Sequence, residues 1–149
     1  HIFLQVGVGG FASAGIAHTL LELDDDVKII CVEPEDADCL MENMKQPDAG
    51  GVLMSKGGID SIMTGLNCGA LSKIGWLMLR DNVSTYMSIG DGHAYEAMMD
   101  MRDEGINVGE CGGAGLAALR ICMKDEKICE HLDLSDESNV LIINTEGKL

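Results

Sequence analysis

The stretch His1-Ile2-Phe3-Leu4-Gln5-Val6-Gly7-Val8-Gly9-Gly10-Phe11 constrains the fold more than any other part of the chain. An apolar run reads as a strand, glycines follow, and a helical pattern begins at once. Phe11, Ala14, Ala17, Leu20 and Leu21 recur at helical spacing as far as Leu23. A strand that turns through glycine directly into a helix gathers backbone N–H groups and the positive end of that helix at one spot. That arrangement receives phosphate.

The pattern continues as an alternation. Residues 24–26, all Asp, end the helix as a solvated loop, and residues 27–32, apolar apart from Lys28, read as a continuous strand that suits a parallel position buried on both faces. Glu33-Pro34 stops it, and residues 37–44 read as a second helix. The β-α-β-α order predicts a three-layer α/β domain with a mainly parallel sheet. Further along, residues 48–51 read as a turn, residues 52–54 as a short strand, and residues 59–66 and 74–79 as short helices. Residues 85–89 read as a strand, and Ala94, Ala97, Met98 and Met101 mark one helix face that stops near Gly105. A second glycine-rich turn, Glu110-Cys111-Gly112-Gly113-Ala114-Gly115, precedes a buried helix over residues 116–123. A short helix over 127–132 and a last strand over 140–144 follow, with Thr145 at the strand's carboxyl end. Ligands of open α/β sheets bind outside the carboxyl ends of strands, so the glycine loop and Thr145 are expected to face one crevice. No repeat or linker interrupts the chain, and residues 1–149 are expected to form a single domain.

Composition removes several function classes. A net charge of −15 offers no basic stripe for a nucleic acid. No apolar run approaches the about 20 residues of a membrane span, and no leader pattern of basic, apolar and small segments is visible. With only 3% aromatic residues, the core must be filled by aliphatic side chains and ten Met. The six cysteines are dispersed and show no zinc spacing, so no metal site is expected; reduced, buried thiols point to the cytosol. The chain opens without Met inside a strand-like run, which reads as part of something longer.

Two cofactors compete for the glycine loop. Gly7-Val8-Gly9-Gly10-Phe11-Ala12 satisfies the dinucleotide pattern, and Glu33 at the end of the second strand stands where a ribose-binding acid belongs. On local grounds an NAD(P)-binding Rossmann domain of an oxidoreductase, another phosphate ligand and a purely structural turn all remain open.

Other segments distinguish them. The glycine loop, Val32-Glu33-Pro34, Glu110-x-x-Gly113-Ala114 and Asn144-Thr145-Glu146-Gly147 together resemble the tryptophan-synthase-like pyridoxal-phosphate enzymes of fold type II. More narrowly, Ile62-Met63-Thr64-Gly65-Leu66-Asn67-Cys68-Gly69, with Ile74-Gly75-Trp76 and Leu79-Arg80, is similar to the diaminopropionate ammonia-lyase family. The resemblance runs the length of the chain and matches the C-terminal, cofactor-binding (large-domain) part of such enzymes.

The resemblance implies a cytoplasmic homodimer that eliminates ammonia from 2,3-diaminopropionate to give pyruvate, with pyridoxal 5'-phosphate as cofactor and an amino acid as substrate. A serine/threonine dehydratase is the neighbouring assignment, and a regulatory module that keeps the fold without the chemistry is a further one. Gly7, Val8, Gly9 and Gly10 would hold the phosphate, Thr145 would offer its hydroxyl to the pyridine nitrogen, and Glu110 would lie near the ring. The Schiff-base lysine of the family lies upstream of the glycine loop, so these residues contain no catalytic residue and are expected to be inactive alone. Lys56 beside Gly57-Gly58 is the one lysine in a flexible turn. Ser13 is a candidate further phosphate contact, Trp76 a core or interface anchor, and His18, His93 and His131 read as surface or capping residues.

Overall fold

The structure, a computed structural model, describes residues 1–22, 26–49 and 51–147. The 24–26 loop and the 48–51 turn expected from sequence therefore lie partly outside the described residues.

A four-stranded, wholly parallel sheet of order β3-β2-β1-β4 forms the middle layer. Its strands are β1 (Ile2–Gln5), β2 (Ile29–Pro34), β3 (Thr85–Ile89) and β4 (Leu141–Ile142). Every residue of β1 and β2 is buried. That burial fits their apolar runs, because a parallel strand between two helix layers has no solvent face. Alternate side chains enter two separate cores. Phe3, Ile30 and Val32 pack with Ala94, Ala97, Ala114, Ala117 and Ala118, whereas Ile2, Leu4, Val6 and Cys31 pack with Ala12, Ile16, Trp76 and Leu79.

Those partners define the outer layers. On one face lie α1 (Gly10–Glu22), α2 (Cys39–Lys45) and α3 (Lys73–Asn82); on the other lie α4 (Asp91–Asp103), α5 (Glu110–Met123) and α6 (Glu126–Leu132). The expected three-layer α/β architecture is present. Trp76 is a core residue at 7% exposure.

Several expectations change. First, α1 buries Ala12, Ile16 and Thr19, while Phe11, Leu20 and Leu21 face outward. The face with small residues is the one that fits the sheet: a Cβ at Gly15 would lie 2.9 Å from Leu4 Cδ1. Second, the segment after Gly109 is not a turn but the first turns of α5. Glycine there is a matter of close packing, since a Cβ at Gly113 would lie 2.9 Å from the Ala94 carbonyl oxygen of α4. Third, residues 59–66 contain only a short 3-10 turn, Thr64–Leu66. Met54 makes a single antiparallel bridge to Ala70 in place of a strand. Fourth, the last strand pairs over two residues only. Four of the six free cysteines are buried, and Cys68 and Cys129 are partly exposed.

Candidate cofactor site

At the carboxyl ends of β1 and β4 a cavity of about 630 Å³ is lined by Gln5, residues 7–11, Gly65, Leu66, Cys68, Cys111 and residues 143–146. The glycine loop and Thr145 do share one crevice.

The loop is built to present donors. Its three carbonyls from Gly7 to Gly9 are all engaged by protein groups. Gly7 O receives the Cys39 thiol at 3.6 Å, Val8 O receives Ser72 N at 2.8 Å, and Gly9 O receives Ser13 N and Ser13 Oγ at 2.9 and 2.6 Å. The N–H groups of the first turn of α1 have no upstream carbonyl within the helix, and the helix dipole adds positive potential there. Gly9 makes the turn possible with φ +88°, and a Cβ on it would lie 2.8 Å from Leu79 Cδ1. Ser13 spends its hydroxyl on Gly9 O and Gly75 O, so it braces the loop from within.

A second helix N-terminus, that of α5, borders the same cavity and is partly capped by Glu146. Glu146 Oε1 accepts Cys111 N at 2.6 Å, and the Glu146 carbonyl accepts Gly109 N at 3.0 Å. Burial, with the Glu146 carboxylate beside it, pushes the Cys111 thiol up to about 11, so it stays neutral near pH 7. Burial also raises Cys68, against an opposing Val8 N–H.

The third wall is residues 65–68, and it is pinned from outside. Asp91 Oδ1 accepts Ser61 Oγ at 2.5 Å and Oδ2 accepts Ile62 N at 3.1 Å. Asn67 closes the loop onto Ser61 through Ser61 N (3.1 Å) and Ser61 O (2.8 Å).

Among the sequence candidates, Gly7, Val8, Gly9, Gly10 and Thr145 line the cavity; Glu110, the first residue of α5, does not, and its neighbour Cys111 takes that place. Glu33 points elsewhere. Its carboxylate accepts Leu40 N at 2.7 Å and Met41 N at 2.6 Å and caps α2 from a fully buried position. A ribose has no access to it, which removes the acid that the dinucleotide reading needs. Lys56 pairs with Glu42, and no lysine lines the cavity among the described residues. His18, His93 and His131 are exposed on α1, α4 and α6.

Sequence reasoning passed over Gln5, Cys111 and Glu146 as site residues. The available signal was a lone amide in an otherwise apolar parallel strand, and an acid directly after Thr145. Gln5, at 2% exposure, keeps Oε1 as a buried acceptor without a protein partner. A donor-rich loop, a neutral hydroxyl and thiol, and a mixed polar and apolar wall suit a phosphorylated aromatic group.

The family model described as pyridoxal-phosphate dependent enzyme matches residues 1–146. The chain is 32% identical to a diaminopropionate ammonia-lyase of Salmonella typhimurium, over 99% of this chain and 39% of that protein. The chain thus spans about two fifths of the length of that curated relative. The crystal structure of an Escherichia coli diaminopropionate ammonia lyase superposes with a TM-score of 0.83 at 29% identity, over 99% of this chain and 38% of the other. Threonine deaminase isoform 2 from Solanum lycopersicum shares the fold, with a TM-score of 0.80 at 19% identity, over 99% and 38% of the two chains.

Proposed function

The chain belongs to the pyridoxal-phosphate dependent enzyme family, and from that premise we propose that it forms the phosphate- and ring-holding wall of an ammonia-lyase acting on 2,3-diaminopropionate. The overall reaction takes one water and yields pyruvate and two ammonia. The observation that carries the site assignment is the shared cavity: the glycine loop, with its carbonyls tied outward, and Thr145 line the same space.

In this reading the N–H groups of Gly7, Val8, Gly9 and Gly10 bind the phosphate, backed by the N-terminus of α1. The Thr145 hydroxyl meets the pyridine nitrogen; a hydroxyl, unlike a carboxylate, brings no charge that would hold that nitrogen protonated. Bound pyridoxal phosphate supplies an electron sink for the charge released when a substrate α-proton is removed. Cys111 and Leu66 exclude water from one side, and the 65–68 segment closes the wall. Among the described residues no lysine lines the cavity, so residues 1–149 alone are expected to be inactive. Cytoplasmic location and a homodimer complete the proposal.

The test is purification of the full-length protein, with its visible absorbance recorded and pyruvate release measured on diaminopropionate, serine and threonine. Retained cofactor and preference for diaminopropionate support the reading. A colourless protein that takes up no pyridoxal phosphate overturns it, and preference for serine or threonine moves the substrate to a dehydratase.

A further inference from the structure

Gln5 closes β1 after three apolar residues, with its side chain buried at 2% exposure at the edge of the cavity. Its Nε2 donates to Ile143 O at 2.8 Å and to Cys111 O at 3.2 Å, while Oε1 stays unpaired. A buried acceptor without a partner is a cost that an apolar residue of the same size would avoid. The two donors must therefore account for an amide at this position.

Both acceptors flank the site. Residue pairing between β1 and β4 ends at Phe3 and Ile142. Two residues beyond Phe3 the Gln5 side chain reaches across to Ile143 O, two positions before Thr145. On the far side of Thr145, Glu146 Oε1 takes Cys111 N at 2.6 Å, and Gln5 holds the carbonyl of that same Cys111. The segment carrying Thr145 is thus bracketed by Gln5 and Glu146, and both act on the first turn of α5.

We propose that Gln5 is a positioning residue: through its two amide donors it ties the exit of β4 to the start of α5 and so sets where the Thr145 hydroxyl stands relative to the glycine loop. This rests on the role given to Thr145 under "Proposed function". Methionine has nearly the same volume and no donor, and glutamate at this place would set a carboxylate against two carbonyl oxygens.

The experiment uses the full-length enzyme loaded with pyridoxal phosphate. The absorbance band and the retention of the cofactor are compared for Gln5→Met, Thr145→Ala and the double variant. Each single change is expected to move the band in the same direction and to weaken retention about fivefold, the worth of one ordinary hydrogen bond. The double variant is expected to add nothing to Thr145→Ala, because both remove one interaction. Full additivity, or a wild-type band in Gln5→Met, overturns the assignment of Gln5 alone. A wild-type band in Thr145→Ala overturns the role of Thr145 and, with it, this proposal. Should Gln5→Met fail to fold, exchange of the Gln5 side-chain amide protons in the wild-type enzyme decides: two slow protons support the brace, and fast exchange of either overturns it.

Discussion

The Glu33 carboxylate meets the backbone nitrogen of Met41 at 2.6 Å, and that of Leu40 at 2.7 Å, at the start of α2. Burial pushes this carboxyl up to about 7, against the pull of the two N–H groups. The unfolded chain titrates near 4.5, so between these values the folded state holds more protons. The contribution of this group to stability is therefore expected to be fully present below pH 4.5, to fall as pH rises from there through about 7, and to be flat above. A shift of this size is worth at most about 3 kcal/mol. Urea unfolding across pH 4.5 to 8 should show the slope, and Glu33→Gln should remove it. A wild-type profile that rises over this range would contradict the buried, proton-binding carboxyl.

Gly9 combines φ +88° with a virtual Cβ 2.8 Å from Leu79 Cδ1. Gly9→Ala is expected to destabilise by about 1–3 kcal/mol, from left-handed strain and the displaced leucine. Gly9→Asp adds a carboxylate where the phosphate is proposed to bind, and the full-length variant should lose cofactor on desalting while Gly9→Ala keeps part of it. Equal retention by both variants and wild type would reduce the loop to a turn.

Asp91 holds the cavity wall from a distance. Its two oxygens engage Ser61 Oγ and Ile62 N, and Ser61 in turn takes Met63 N at 3.1 Å. Asp91→Ala should cost about 1.5–3 kcal/mol in unfolding free energy, as expected for hydrogen bonds to a charged group. Faster proteolysis is expected within residues 59–68, with α4 and α5 still protected. Uniform protection along the chain would mean that the wall stands without Asp91.

The parts of this fold that were legible in the sequence are those set by local period. β1 and β2 are largely apolar runs of strand length, and Ala94, Ala97 and Met98 repeat at helical spacing and are buried as that spacing requires. What escaped was set by partners far along the chain. Residues 59–66 look helical, but Asp91 and Asn67 draw their polar groups into a pinned loop. Gly112 and Gly113 look like a turn because glycine is a poor helix former; contact with Ala94 and Asn144 makes glycine the residue that fits. The site divides the same way. The glycine loop announces itself, and Thr145 is found at a strand end, whereas Gln5 and Glu146 gain their roles only when β1, β4 and α5 meet.

Thr145 carries the last prediction. Thr145→Ser keeps the hydroxyl, and its full-length holoenzyme should keep the wild-type absorbance and most of the activity. Thr145→Ala removes the hydroxyl from an exposed position at the exit of β4. Stability should then change by no more than about 0.5 kcal/mol, while kcat/KM falls about tenfold, equivalent to one hydrogen bond of about 1.4 kcal/mol made in the transition state. Thr145→Asp is the sharper change, because a carboxylate beside the ring nitrogen favours its protonated form. That variant should show an altered absorbance band and a slow loss of the cofactor to its aminated form during turnover. Identical spectra for the Ser, Ala and Asp variants would remove Thr145 from the site.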